Sequence, residues 1–341
     1  MKYTSAIFNK GYNLKLIIIC SILLALYYPL VSPFGLAISP DSSSYLQVAK
    51  SLLDGEGFYS KTGEFVKHWP PIYSILIALT SKLTFTNVIT AGFILNGITL
   101  IVSYVFGYKI LKLLKLDQTL CYSIPFLMVI SKAYIMIAFM LSESLFLALE
   151  LITLFYFIKW QKSSNLKTLI SFSLLCSLLL ITRYAAVGII GGFLIFELFF
   201  GKKNTIQNLK NCFTIGLISL IGIISWLVYV KLKTDTTEVR HIGVHILSFN
   251  KFIGIFKNIG IMFIKKSFII LGFYLLFVIG IIINLKQIKN YSKELKKHFN
   301  EHQKHLILFT ILSCIYIIFI IISMSFFDKK TPPSSRILCL I

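Results

Sequence analysis

The sequence predicts an all-α polytopic membrane protein of about nine transmembrane helices, with interfacial helices in its first outer loop. Three observations predict it. Of 341 residues, 57% are hydrophobic and only 14% charged, whereas a soluble domain carries about 25% charged residues. Mean hydropathy is +0.83, more apolar surface than a water-soluble fold can hide. The 34 Lys and Arg outnumber 13 Asp and Glu, yet most lie between apolar stretches, as on cytoplasmic loops facing anionic headgroups. The expected partner of that charge is membrane lipid, and no nucleic acid.

A span needs about 20 apolar residues. Candidates are 14–34, 87–108, 118–137, 142–159, 167–183, 185–200, 212–230, 267–285 and 305–327. The first follows Lys2, Lys10 and Lys15 and has no small-residue cleavage site, so it reads as an uncleaved signal anchor. Alternating the spans from a cytoplasmic N-terminus puts Lys109/Lys112/Lys115, Lys159/Lys162/Lys167, Lys202/Lys203/Lys210 and Lys286 through Lys304 inside. Lys231, Lys233, Lys251, Lys257, Lys265 and Lys266 run against this order. The apolar stretch from Pro70 to Leu83 is too short to span. Opened by Pro70-Pro71, it reads as a helix at or dipping into the outer interface. Residues 1–341 then form one transmembrane domain, with 35–86 as the first outer loop. The six cysteines lie singly and read as small buried residues, with no disulfide framework.

The first outer loop carries the informative residues. Tyr45, Leu46, Ala49, Leu52 and Leu53 recur at helical spacing, so 42–54 is an amphipathic surface helix that Gly55 stops. Asp41, Asp54, Glu56 and Glu64 make this loop far more acidic than the rest of the chain. The plain structural reading of Asp41 is a helix N-cap after Pro40. That of His68-Trp69-Pro70-Pro71 is an interfacial aromatic and a helix start.

The order of a span, Asp41-Ser-x-x-Tyr45 on a surface helix, then His68-Trp-Pro-Pro-Ile-Tyr73 and a second interfacial helix resembles the GT-C glycosyltransferases. The nearest branches are the protein O-mannosyltransferase, lipid A aminoarabinose transferase and Rgt-type families. The likeness continues through Leu141-Ser142-Glu143-Ser144-Leu145-Phe146, Leu180-Ile181-Thr182-Arg183-Tyr184 and Ser335-Arg336-Ile337-Leu338. Relatives continue through further spans past this last segment, so the chain reads as a truncated product. Many also have a second acid after the first; here Ser42 follows Asp41. That weakens the case for a metal here: no cofactor is certain, and a divalent metal is possible but not indicated.

The resemblance implies a transferase in the bacterial cytoplasmic membrane with its active site on the outer face. Its donor would be a polyprenyl-phosphate-linked sugar, and its acceptor a cell-envelope glycan, lipid or protein. Inverting transfer needs a base for the acceptor hydroxyl, a role the resemblance gives to Asp41. The leaving phosphate is already a stable anion, so it needs fixed positive charge and no general acid. The chain's arginines are Arg183, Arg240 and Arg336. Arg183 and Arg336 fall at outer positions and are expected to bind substrate, with Tyr45, His68 and Glu143. Arg183 could equally be a snorkelling interfacial charge, Arg336 a solvated tail residue. Arg240 reads as loop solvation.

Glu150 lies two turns below Glu143 on the same helix face and, like Glu197, reads as a packed polar contact. His241/His245 and His298/His302/His305 have helical spacing but no matching carboxylate or cysteine, so no metal is assigned. The rival from another class is a multispan transporter or flippase of lipid-linked sugars, with Glu143, Glu150 and Arg183 along a passage. Discontinuous helices or an internal repeat would favour it; the sequence has no repeat.

Overall fold

A computed structural model describes residues 11–130, 139–202, 204–236 and 295–323. Among these residues the chain is all-α, with ten helices and two isolated β-bridges. They are α1 (Gly11–Val31), α2 (Pro40–Leu53), α3 (Ile72–Thr84), α4 (Val88–Leu113) and α5 (Gln118–Ile130). Then come α6 (Glu143–Ser163), α7 (Leu166–Leu180), α8 (Ala186–Phe200), α9 (Thr205–Thr234) and α10 (Leu295–Ile322). Two of them, α4 and α9, are long and apolar enough to cross a membrane unbroken. The expected span at 267–285 lies outside the described residues, as do Arg240, His241, His245 and Arg336.

Several helices run past their expected spans into polar sequence, while α1 and α7 stop three residues short, at Val31 and Leu180. α9 begins seven residues before 212 and α10 ten before 305, because an apolar window marks bilayer contact whereas helical hydrogen bonding continues into flanking polar turns. The chain divides into two compact units, Met1–Tyr184 with Phe213–Arg240, and Ala185–Cys212 with His241–Ile341.

In the first unit, α2 starts with a reciprocal cap. The Ser42 amide donates to Ser39 Oγ (3.2 Å) and the Ser39 amide to Ser42 Oγ (3.0 Å). Pro40 occupies the first helical position, where its missing N–H costs nothing. The N-cap is therefore Ser39, which corrects the capping role expected of Asp41; Asp41 sits inside the first turn. The C-cap is Asp54, and Gly55 follows at φ +81°, a left-handed turn suited to glycine. The buried face of α2 is also displaced from the expected one. Ser42, Tyr45, Val48, Ala49 and Ser51 are buried, while Leu53 is exposed. The helix packs through a tight small-residue face against α3, leaving the larger aliphatics to its flanks.

α3 is 13 residues long, about 20 Å at 1.5 Å per residue and short of the ~30 Å hydrocarbon core. It buries Tyr73, Ser74, Ile77, Ala78 and Ser81 and leaves Ile75, Leu79 and Leu83 outward. α4, α6 and α7 supply most of the large buried side chains, among them Tyr104, Phe146, Phe157 and Phe172. Glu150, on α6, has its Oε2 buried with no hydrogen-bond partner among the described residues. Lys162 Nζ donates to the Leu113 carbonyl, so the lysine-bearing C-terminal ends of α4 and α6 meet.

In the second unit, Glu197 is 1% exposed and accepts from Asn211 Nδ2 at 2.8 Å, the packed polar contact expected of it. The pairing of α8 with α10 rests on Gly188 and Gly192, spaced four apart on one face. A Cβ at Gly192 would lie 2.9 Å from Leu312 Cδ2 and 3.2 Å from Leu312 Cα; one at Gly188 would lie 2.9 Å from Phe319 Cβ. Small residues at this spacing let membrane helices approach closely. Gly192→Val should therefore force the helices apart, costing about 1–3 kcal/mol and lowering the thermal midpoint in detergent. Gly191→Ala is the control, because its Cβ meets only Ile315 Cγ2 at 3.7 Å and should leave that midpoint unchanged.

Candidate functional site

Asp41 and Tyr45 are four residues apart on α2, so they share a face. Tyr45 is 3% exposed and its hydroxyl lies 3.1 Å from Ser142 Oγ, just before α6. Arg183, in the turn after α7, donates from Nη1 to the same Ser142 oxygen at 3.2 Å. That nitrogen also lies 2.8 Å from Glu143 Oε2, with Glu143 4% and Arg183 19% exposed. The ion pair is close but off hydrogen-bonding geometry, because Oε2 has no hydrogen-bond partner among the described residues. One serine hydroxyl thus joins α2, α6 and the turn after α7.

A second layer fixes this junction. The Tyr45 ring meets Tyr73 edge-on at 5.0 Å and Trp69 at 5.7 Å. Tyr73 Oη donates to Asn96 Oδ1 at 3.1 Å, and Ser144 Oγ donates to the same oxygen at 3.0 Å. Asn96 Nδ2 donates to the Phe139 carbonyl at 2.9 Å. Residue 139 is bridged to Ala37, whose carbonyl accepts from the Met140 amide. The backbone just before α2 and that just before α6 are therefore tied together. The Ile72 amide donates to the Ile181 carbonyl, bringing the turn that carries Arg183 to the start of α3.

The electrostatics follow from these distances. Burial pushes the Tyr45 hydroxyl above its ordinary range; Arg183 and the Ser142 contact oppose that shift, and Glu143 and Asp41 add to it. Tyr45 therefore stays protonated at any physiological pH and can donate but cannot serve as a base. Around the Tyr45 phenol the groups that act on it are two carboxylates, a guanidinium and a serine hydroxyl. Asp41 is half-buried, so its carboxylate is neither sealed off nor fully solvated. His68 is exposed, its ring edge-on to Trp69 at 4.6 Å.

The structure thus gathers Asp41, Tyr45, Glu143 and Arg183, sets His68 beyond Trp69, and leaves Arg336 outside the described residues. The residues that sequence reasoning missed are Ser142, Trp69 and Asn96. Asn96, fully buried in an apolar helix, carried a legible signal, because a polar side chain in a span needs a partner. Among the described residues no three His, Cys, Asp or Glu side chains gather where a metal could sit.

Comparison with known proteins adds a fold. No protein-family model matches this sequence, and no curated protein matches it. The chain is similar in structure to ArnT from Cupriavidus metallidurans, solved bound to undecaprenyl phosphate. The TM-score is 0.57 over 95% of this chain, at 11% sequence identity. The chain spans 58% of that protein's length. At this identity the likeness is one of fold, and the fold of this chain resembles that of the ArnT membrane protein.

Proposed function

We propose that this chain is an inverting, polyprenyl-phosphate-sugar-dependent glycosyltransferase of the GT-C type, a single transmembrane domain of about nine spans. The observation that carries the proposal is the junction of Tyr45, Ser142, Glu143 and Arg183, with Asp41 one turn before Tyr45 on α2, within an ArnT-like fold. The donor would be a sugar on a polyprenyl phosphate, the class of lipid bound in the ArnT structure. The acceptor would be a hydroxyl of a glycan, lipid or protein.

In this reaction Asp41 takes the proton as the acceptor oxygen attacks the anomeric carbon. The bond from that carbon to the phosphate oxygen breaks, and its electron pair leaves with the lipid phosphate. Arg183 faces the growing charge with a planar fork suited to phosphate. Glu143 holds that fork, and the Tyr45 phenol offers a further donor. His68 meets the acceptor, and Arg336 adds a second cation. The direct test is to incubate membranes containing the chain with labelled polyprenyl-phosphate sugars; label should pass to an acceptor, and its retention on the lipid would overturn the proposal.

The orientation proposed puts the junction outside and the N-terminus in the cytoplasm. It is supported by Lys109, Lys112, Lys159 and Lys162, which lie at the opposite ends of α4 and α6 from Asn96, Ser142 and Glu143. Cysteines at Thr62 and Lys112 should be labelled by an impermeant reagent from outside and from inside respectively. Equal sidedness would reverse or break the topology.

Asp41→Asn is the sharpest test of the base. Because Ser39 caps α2, the change should leave helix and accumulation intact. Transfer should fall by about a hundred- to ten-thousand-fold, the usual worth of a general base. Transfer at the parental rate would return Asp41 to a favourable charge in the first turn of a helix.

Arg183→Lys separates phosphate recognition from anchoring. The charge beside Glu143 survives but the fork does not. Transfer should drop about ten- to a hundredfold, as for loss of a charge-assisted hydrogen bond, with thermal stability held. Unchanged transfer would leave Arg183 as an anchor.

A further inference from the structure

The face of α2 opposite Asp41 and Tyr45 borders a groove of about 420 Å³, within the size range of small-molecule sites. Its walls come from α2, the 54–61 segment and the first turn of α4. On the polar wall stand two ammonium groups, Lys50 and Lys61, and two carboxylates, Asp54 and Glu56. These charges are not spent on one another. The described ion pairs do not include them, and the side chains of Lys50, Lys61 and Asp54 make no hydrogen bond among the described residues. Glu56 Oε2 takes only a long bond, 3.4 Å, from Ser51 Oγ.

The apolar wall comes mainly from outside α2, from Ile38, Val88 and Ile89, with Leu46 one turn before Lys50 on α2 itself. Ile38 is 56% and Ile89 48% exposed, and Ile89 belongs to the first turn of a membrane-length helix. Leu83 and Phe85, just before that turn, are also exposed. The apolar wall therefore opens onto the surface that bilayer chains would cover. A carbohydrate would leave this wall without a partner, and a simple anion would leave Asp54 and Glu56 repelling it. The complementary occupant has a negative and a positive group on one headgroup and hydrocarbon behind them.

We propose that this groove binds a zwitterionic phospholipid with a primary amine, its phosphate between Lys50 and Lys61 and its ammonium against Asp54 and Glu56. The acyl chains run past Ile38 and Ile89 into the bilayer. Lys50, Asp54, Glu56 and Lys61 are all exposed, so the gain over bulk lipid comes from opposite charges meeting at the edge of a low-dielectric layer, where each pairing is worth more than in water. The amine matters because its N–H groups donate hydrogen bonds to carboxylates, which a quaternary ammonium cannot do.

The test uses the full chain, purified and delipidated in detergent, titrated with phosphatidylethanolamine, phosphatidylcholine and phosphatidylglycerol and read by native mass spectrometry. Phosphatidylethanolamine should bind at least about tenfold tighter than the other two, the value of one charge-assisted contact. Lys50→Glu with Lys61→Glu should abolish that preference. Asp54→Asn with Glu56→Gln should shift it toward phosphatidylglycerol, a gain that a misfolded variant cannot produce. Equal binding of the three lipids, or a preference untouched by either double variant, would overturn the proposal. These residues lie away from the Ser142 junction, so the outcome is independent of whether the chain transfers sugar.

Discussion

Everything at the Asp41 end of the first unit depends on one hydroxyl, that of Ser142. Tyr45 from α2 and Arg183 from the turn after α7 both reach it, and Glu143 beside it carries the charge that balances Arg183. In so apolar a chain each of these groups would be costly alone. Removing one member of a buried ion pair typically costs about 3–5 kcal/mol, because the other is left uncompensated. The junction is therefore cooperative, and it sets the place of α2, a short surface helix whose own apolar face is modest.

That helix would otherwise be poorly positioned. Its buried side is built from Ser42, Val48, Ala49 and Ser51 around one large residue, Tyr45. Small side chains permit close approach but do little to choose a register. The choice is made by directional contacts: the Tyr45 hydroxyl on Ser142, its ring between Trp69 and Tyr73, and Asn96 holding Tyr73 and Ser144 on one carbonyl oxygen. Hydrogen bonds are weak sources of net stability but strong sources of geometry. The polar layer is thus what converts a loosely apolar loop into a defined site.

These contacts also explain which parts were legible beforehand. Spans, the short α3 and the surface helix α2 follow from hydropathy and from Pro and Gly positions, which are local signals. Asp41 and Tyr45 share a face by spacing alone. The cap was misassigned because Ser39 and Asp41 are both good capping residues, and only the backbone decides which is outside the helix; Ser39 is extended at φ −106°, ψ 170°. The pairing of Arg183 with Glu143, 40 positions apart in sequence, and the centrality of Ser142 are tertiary facts. No local pattern distinguishes Ser142, just before α6, from Ser144, two residues later in its first turn.

The same geometry bears on how the proposed transfer would divide its labour. Tyr45 is held protonated, and Glu143 is sealed at 4% exposure against Arg183, so neither is placed to exchange a proton with an incoming hydroxyl. Asp41 is half-buried on the same face and is not the helix cap, and the proposed reading gives its carboxylate the proton. Arg183 is the more open member of its pair, at 19%. In the proposed transfer the phosphate would meet this guanidinium while Glu143 holds it. A guanidinium held this way is oriented before the leaving group develops its charge, and such prior orientation is the source of electrostatic catalysis. Under the proposed reading, the acid paired with the arginine would weaken ground-state binding of the phosphate, but the orientation it secures would act where the charge appears.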